Sequence, residues 1–201
     1  MRSPRAAIDL LPIFPLIIPQ FLQVSERQAL LQYVTEHDAD FGQYDLKQDY
    51  WAGRTLTPND IRSAEVLKVF RTLRDRVVAT LQQHLAEHLG PQPPLYVDLV
   101  NFARWPPGYE LAPHADSENP GGAEHPYPWR DFASVIYLND DYEGGEIFFP
   151  GHGIELQPQA GALALFPGTL RYLHGVRRVT RGMRQTIASF ITYDATRRYE
   201  F

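Results

Sequence analysis

The chain has 201 residues, of which 44% are hydrophobic and 12% aromatic, so it can bury a sizeable core and is not disordered. Its formal net charge is −5, so no overall positive field favours nucleic acid or an acidic membrane surface. Cysteine is absent, which excludes disulfides and thiolate metal sites and fits a reducing compartment.

The N-terminal residues 1–20 are partly apolar, but prolines interrupt them at four positions. The segment therefore lacks both the apolar run of a signal peptide and the length of a membrane span. We expect a cytoplasmic protein with no membrane segment, in which residues 8–22 are extended and residues 38–58 are loops with one or two short strands. No internal repeat or linker is visible, so we predict a single domain over residues 1–201.

Two helices are predicted in the first half of the chain. Ser25, with Gln28 as its capping-box partner, predicts the start of the first helix. A longer helix is predicted from Asn59 or Asp60 to Leu89, where a glycine and several prolines follow. Apolar residues at steps of three and four form one continuous stripe along this second helix: Val66, Phe70, Leu73, Val77, Leu81 and Leu85.

From about residue 95 the sequence changes to short β-rich runs separated by Gly, Pro, Asn and Asp. This spacing predicts a mainly β fold, an antiparallel sandwich or barrel with helices packed outside. We expect residues 1–94 to support a β core formed by residues 95–194. The predicted strands are 95–104, 132–139, 145–149, 154–156, 161–166 and 184–193.

A possible zinc site lies near the end of the second helix. Residues 84–88 read His-Leu-Ala-Glu-His, which matches the H-x-x-E-H pattern of some zinc peptidases. However, His84 and His88 fall in the last turn, where cationic side chains suit the helix dipole, and no other helix offers a third ligand. We interpret them as structural residues.

Two histidines and one aspartate form a stronger candidate for a metal site. His114 and Asp116 are two residues apart, so on an extended strand they face the same side. His174 follows in the second half of the β region. Two histidines and one carboxylate on one face, with coordination positions left open, are typical of non-haem Fe(II) oxygenases.

The sequence around these residues resembles the Fe(II)/2-oxoglutarate dioxygenases of the prolyl hydroxylase superfamily. The similar stretches are residues 101–116, 130–146, 174–176 and 182–186, and the later ones look closest to leprecan-like prolyl 3- and 4-hydroxylases. The resemblance covers about residues 95–194. It implies a double-stranded β-helix, which is a cupin-like jelly-roll of two sheets, with the N-terminal helices packed on one sheet.

The resemblance also implies a metal and a cosubstrate. His114, Asp116 and His174 match the iron ligands position by position. Arg184 matches the residue that pairs with the distal carboxylate of 2-oxoglutarate, a task suited to the planar guanidinium fork. The implied cofactors are Fe(II), 2-oxoglutarate and O2, with ascorbate as a stimulant.

Three further residues are expected near the cosubstrate. Tyr137 matches a tyrosine that hydrogen-bonds the same carboxylate in relatives. Thr186 lies two residues beyond Arg184, so it faces the same way on a strand and could assist. Trp105 stands where many relatives have tyrosine, and its ring N–H can donate a hydrogen bond but cannot accept one.

Residues 117–130 are predicted to be a mobile lid over the metal. The segment is long and contains several glycines and prolines, so no regular element is expected, and such loops in compact domains are usually functional. Its polar and aromatic side chains could close over a substrate. The residues expected to bind substrate, from this loop and the matched stretches, are Asn101, His125, Tyr127, Trp129 and Val176.

The resemblance implies hydroxylation of an unactivated C–H bond of a prolyl residue or proline-like substrate, with release of succinate and CO2. A free amino acid or small biosynthetic intermediate is an alternative substrate, because we expect a single domain of bacterial size without substrate-binding extensions. Ser117, where leprecan-like enzymes usually have asparagine, argues against a collagen-like substrate. A nucleic-acid demethylating oxygenase is disfavoured by the acidic charge. A catalytically silent binding module is disfavoured by the complete ligand set. We expect a small-molecule or peptidyl partner and no nucleic acid, and oligomeric state is not predicted.

Overall fold

Two α-helices and twelve strands can be bounded in the computed structural model, which describes residues 8, 12–41 and 51–201. Ile8 is also helical, so the prediction of an extended segment from residue 8 is wrong at its first residue. In chain order the first elements are β1 (Leu16–Ile18), α1 (Val24–Glu36), β2 (Thr55–Leu56), α2 (Ala64–Leu89), β3 (Tyr96–Trp105) and β4 (Leu111–His114). The others are β5 (Phe132–Tyr137), β6 (Glu143–Gly144), β7 (Ile147–Phe149), β8 (Ile154–Leu156), β9 (Leu163–Pro167), β10 (His174–Val176), β11 (Val179–Arg181) and β12 (Arg184–Thr192). Part of the predicted 38–58 loop lies outside the described residues, and β2 is a short strand within the rest. Neither described helix has the length and apolar character needed to cross a membrane.

The first helix starts earlier than the sequence predicts. Gln23 is the N-cap, and its backbone N–H donates to the Glu26 carboxylate at 3.0 Å. The predicted cap at Ser25, with Gln28 as its partner, is therefore wrong. A carboxylate in the first turn also interacts well with the positive end of the helix dipole, which favours the earlier start.

The second helix starts later than predicted and ends where expected. Residues 58–60 form a separate 3₁₀ turn, because the Asp60 carboxylate accepts a hydrogen bond from the Thr57 hydroxyl at 2.6 Å. Ser63 then caps α2 by accepting from the Val66 N–H. The whole predicted apolar stripe is buried, and α2 ends at Leu89 as predicted.

Two antiparallel sheets form the β core, as predicted for a double-stranded β-helix. The larger sheet has the order β1-β9-β5-β12-β3-β2 and the smaller one β4-β10-β7-β8, with β6 and β11 paired apart from them. The alternation of side chains divides the larger sheet into two faces. Ile187 and Ile191 of β12 belong to the same buried cluster as the stripe of α2, so this face carries the helices.

The other face of the larger sheet looks toward the smaller sheet. A compact apolar core fills part of the space between them, formed by Ala133, Ile147, Phe149 and Phe166. Strand pairing then places polar residues on the same inner face, because directly opposed residues of antiparallel strands point the same way. Arg184 is opposite Trp105, and Thr186 is opposite Tyr137. The polar end of this inner face is where the functional site lies.

Candidate metal centre and cosubstrate pocket

Strand pairing brings the three predicted metal ligands together. His114 ends β4 and His174 begins β10, and the two residues are directly opposed in the smaller sheet. The Asp116 carboxylate lies 3.6 Å from His114 Nε2 and 3.7 Å from His174 Nε2. The three ligand atoms all lie within 4.8 Å of one another, and no other such group occurs in the part of the chain that the structure describes.

Backbone hydrogen bonds orient both imidazoles. The Nδ1 of His114 lies 3.0 Å from the Ala112 carbonyl, and that of His174 lies 3.1 Å from the Tyr172 carbonyl. Because a carbonyl can only accept, each Nδ1 must be the protonated nitrogen. Each Nε2 is then left free to bind a metal, an arrangement typical of metal-binding histidines.

The pKa shifts favour the metal-binding forms of Asp116 and His174, but not that of His114. Burial opposes ionisation of Asp116, but the charges of His174 and His114 outweigh it and lower the pKa of this carboxyl. Burial lowers the pKa of His174. For His114 burial acts in the same direction, but the neighbouring Asp116 outweighs it and raises the pKa. Asp116 is thus ionised and His174 neutral, which are the forms that bind metals.

The cluster also has a feature that calls for a cation. Asp116 Oδ2 is buried and has no hydrogen-bond partner among the described residues. An ionised oxygen without a partner is costly in the interior, and a bound metal ion would remove that cost. The side chain of His114 is 35% exposed, whereas those of Asp116 and His174 are 6% and 8% exposed. Among the three ligands, His114 is therefore the one most accessible to solvent.

The main chain around Asp116 is held against the end of β9. The N–H groups of Asp116 and Ser117 both donate to the Gly168 carbonyl, at 2.9 and 3.0 Å. A Cβ at Gly168 would lie 2.7 Å from the Arg130 carbonyl oxygen and 3.2 Å from Asp116 Cβ. Only glycine therefore fits between the metal-site carboxylate and the strand that follows the 117–130 loop.

A second polar site lies on the inner face of β12. Arg184 is only 2% exposed, and no carboxylate lies within 4.0 Å of it among the described residues. Its guanidinium contacts the Tyr137 hydroxyl at 3.4 Å and lies 5.2 Å from the centre of the Trp105 ring. Its Nε is buried without a partner. A buried cation in this state is suited to an anionic ligand, as predicted for a 2-oxoglutarate carboxylate.

The other predicted binding residues on this inner face differ in whether their polar groups are free to bind a ligand. The Thr186 hydroxyl donates to the Ala103 carbonyl at 3.4 Å, so its assisting role stays a prediction. The Asn101 amide donates to the Phe102 carbonyl at 2.9 Å. Val176 packs in a small apolar cluster with Trp105, which lines the same end of the sheet.

The loop 117–130 contributes unequally to this site. Burial lowers the pKa of His125, and its Nδ1 accepts from the Tyr127 N–H at 3.1 Å. The start of the loop, Ser117, follows the predicted metal ligand Asp116 directly. Trp129 instead packs against Arg197, whose guanidinium carbon lies 3.7 Å from the centre of the indole ring. The loop thus has one end toward the metal cluster and one end against the C-terminal segment.

The C-terminal end of the loop is clamped. The Arg130 guanidinium lies between two aromatic rings, 3.8 Å from the centre of Tyr127 and 3.7 Å from that of Phe190. It also donates to the Asp98 carboxylate at 3.1 Å. Any lid motion, which stays a prediction, is therefore expected in the part of the loop before Tyr127.

The H-x-x-E-H stretch of α2 is not a metal site. His84 Nε2 lies 3.1 Å from the Ile13 carbonyl, and His88 Nδ1 lies 2.8 Å from the His84 carbonyl. Among the described residues, these histidines form no group of three or more ligand-type side chains that could hold a metal, in agreement with the structural interpretation.

Two residues of the site were missed from the sequence. Tyr142 is buried beside Arg184, and Gly168 supports Asp116. Tyr142 lies within the stretch 130–146 that resembles the prolyl hydroxylases, which was the available signal. Because it lies in a turn, strand alternation could not tell which way it points.

Comparison with known proteins agrees with this geometry. Residues 100–192 match the profile of the 2OG-Fe(II) oxygenase superfamily. Prolyl 3-hydroxylase 1 of Gallus gallus is 38% identical over 73 residues, which is 34% of this chain and 10% of that protein. The chain therefore spans about a tenth of the length of the curated relatives that it matches.

Solved structures share the fold over most of their length. A prolyl hydroxylase from Trichoplax adhaerens, in complex with a hypoxia inducible factor peptide fragment, aligns with a TM-score of 0.68 and 21% identity, covering 96% of this chain and 90% of that one. The viral collagen prolyl hydroxylase of Paramecium Bursaria Chlorella virus-1 aligns with a TM-score of 0.63 and 17% identity, covering 89% and 95%. Residues 100–192 therefore match the 2OG-Fe(II) oxygenase superfamily, and the chain shares the fold of these solved prolyl hydroxylases.

Proposed function

We propose that this chain hydroxylates a prolyl residue or a proline-like substrate and converts 2-oxoglutarate to succinate and CO2. The observation that carries the proposal is that two buried charged groups of the same β core lack a partner of opposite charge or a hydrogen-bond donor among the described residues. The buried Asp116 oxygen lies with two histidines, and the buried Arg184 cation has no carboxylate partner among the described residues.

In this proposal the three clustered side chains hold Fe(II), and Arg184 with Tyr137 holds the distal carboxylate of 2-oxoglutarate. Bound iron supplies the redox chemistry that couples decarboxylation of 2-oxoglutarate to insertion of oxygen into a C–H bond. The protein orients the reactants: the Nδ1 contacts fix the imidazoles, and the two hydrogen bonds to Gly168 fix Asp116. The apolar walls around Arg184 exclude water from the carboxylate pocket.

The substrate class rests on the relatives. Prolyl 3-hydroxylases share 34–38% identity with the chain over about 73 residues. The loop 117–130, which includes His125, is the proposed substrate-contacting segment. Tyr127 is 36% exposed and is available to a substrate while it stacks on Arg130.

The test is a turnover assay with defined substrates. The protein is incubated with Fe(II), ascorbate, 2-oxoglutarate and either proline-containing peptides or free amino acids, and products are screened for a one-oxygen mass gain with matching succinate. A mass gain on a prolyl residue is expected. Gain on a free amino acid alone identifies the alternative substrate class, and absence of both gain and succinate formation contradicts the proposal.

Two variants separate the metal centre from general effects of losing a histidine. His174→Ala removes a buried ligand, so metal binding and turnover should both be lost. His88→Ala removes an exposed histidine at the end of α2 and should leave both unchanged. Retention of full metal affinity in His174→Ala, measured by calorimetry, would show that the ligand assignment is wrong.

A further inference from the structure

The carboxylate pocket has more hydrogen-bonding capacity than Arg184 and Tyr137 alone provide. Their contact is long, at 3.4 Å, and Arg184 Nε has no hydrogen-bond partner among the described residues. Carboxylates have about four lone-pair sites, and a buried one needs most of them satisfied. Further donors facing Arg184 are therefore candidates for the same ligand.

Tyr142 is such a donor. It lies in the turn after β5, is 5% exposed, and meets Arg184 across Gly145. A Cβ at Gly145 would lie 2.9 Å from Arg184 Cδ and 3.2 Å from Tyr142 Cε2. Gly145 also has a φ of +70°, a conformation that favours glycine. The absence of a side chain at this position lets the tyrosine ring and the arginine side chain share one pocket.

The Tyr142 hydroxyl is buried beside the Arg184 side chain, which can only donate to it, and it has no acceptor for its own proton among the described residues. A buried donor without an acceptor is unfavourable, and native structures usually keep one only for a ligand, a water or a functional reason. Burial raises the pKa of Tyr142 to about 12, and the positive charge of Arg184 opposes that rise. The hydroxyl is therefore protonated at neutral pH and able to donate.

The turn that carries Tyr142 is fixed to the start of β12. The Asn139 side chain donates to the Met183 carbonyl at 2.7 Å and accepts from the Gln185 N–H at 2.8 Å. A Cβ at Gly182 would lie 3.0 Å from Tyr142 Cα, so this turn packs directly on the chain that leads to Arg184. The tyrosine and the arginine are thus held in one rigid unit.

We propose that the Tyr142 hydroxyl donates a hydrogen bond to the distal carboxylate of 2-oxoglutarate, beside Arg184, and so helps to select a 2-oxo dicarboxylate over a 2-oxo monocarboxylate. The proposal rests on the proposed function, because it assigns a further residue to the same cosubstrate pocket. A hydroxyl donating to a carboxylate forms a short, charge-assisted bond. Its loss should therefore weaken only ligands that carry the distal carboxylate.

The test measures binding to Mn(II)-loaded protein by calorimetry, with 2-oxoglutarate and with 2-oxopentanoate, which lacks the distal carboxylate. In Tyr142→Phe the Kd for 2-oxoglutarate should rise roughly 10- to 100-fold, the range expected for a lost hydrogen bond to a charged group. The Kd for 2-oxopentanoate and the affinity for Mn(II) should stay unchanged, because phenylalanine keeps the ring and its packing.

Tyr193→Phe is the matched control. Tyr193 also has a buried hydroxyl without a partner among the described residues, and it lies beyond the opposite end of β12 from Arg184. This variant should bind both ligands as the wild type does. An unchanged 2-oxoglutarate Kd in Tyr142→Phe, or an equal loss for both 2-oxo acids, overturns the inference. Failure of the wild-type protein to bind 2-oxoglutarate refutes the proposed function instead.

Discussion

Replacing Gly168 by alanine should damage the metal centre without touching a ligand. The new Cβ would lie 2.7 Å from the Arg130 carbonyl oxygen and 3.2 Å from Asp116 Cβ, so the backbone on one side must move by about half an ångström. Overpacking of this kind typically costs about 1–3 kcal/mol of unfolding free energy. Metal sites tolerate ligand displacements of only about 0.2 Å, so we expect Mn(II) or Fe(II) affinity to fall at least about tenfold.

The assay combines thermal unfolding with metal titration by calorimetry. For a chain of this size, each kcal/mol lowers the unfolding temperature by about 2–4 °C. Gly151→Ala is the matched control, because its Cβ would lie an ordinary 3.6 Å from the nearest atom, the Arg171 carbonyl oxygen, and it is exposed. The control should change stability by less than about 1 kcal/mol and leave metal affinity intact. Wild-type stability and metal affinity in Gly168→Ala would refute the reasoning from close approach.

Three further predictions follow from the same site. Arg184→Met removes a buried cation that has no described carboxylate partner, so the ligand-free protein should be equally or more stable. The same variant should bind 2-oxoglutarate more weakly by about 3–5 kcal/mol. An unchanged Kd for 2-oxoglutarate by calorimetry would contradict the role of Arg184. Mn(II) at about 100 times its Kd should raise the unfolding free energy by about 2.7 kcal/mol in thermal melts, and an equal rise in Asp116→Ala would contradict the ligand assignment. Replacing residues 124–128 by a Gly-Ser stretch should leave metal and 2-oxoglutarate binding nearly intact while lowering substrate hydroxylation and raising uncoupled 2-oxoglutarate consumption; unaltered coupling and substrate affinity would show that the loop is not a lid.

The two helices show which features can be predicted from local sequence patterns and which cannot. The apolar stripe of α2 was predicted completely, because a helix with one buried face repeats apolar residues every three or four positions, and this repeat is visible in the sequence. Both helix starts were misplaced, because several residues near each start can cap a helix. At the first start the Glu26 carboxylate accepts a hydrogen bond from the Gln23 N–H, and before the second start the Asp60 carboxylate does the same for the Thr57 N–H. The choice between such caps depends on the three-dimensional path of the chain.

The cluster of His114, Asp116 and His174 could be predicted from the sequence because H-x-D on an extended strand already puts two side chains on one face, and the surrounding motifs indicate the third. The position of Arg184 was predicted by the same motifs. The sequence also determined the mainly β core and its longer strands, since turn residues mark their boundaries, but the short strands β6, β10 and β11 were not predicted.

Only the tertiary structure decided which residues meet across elements. The pairing of β4 with β10 sets His114 opposite His174, and the 117–130 loop returns Arg130 to a cage between Tyr127 and Phe190. Tyr142 comes beside Arg184 because a turn, which has no readable side-chain alternation, folds over a glycine. Such contacts depend on the close approach of backbone segments distant in sequence, which no local periodicity records.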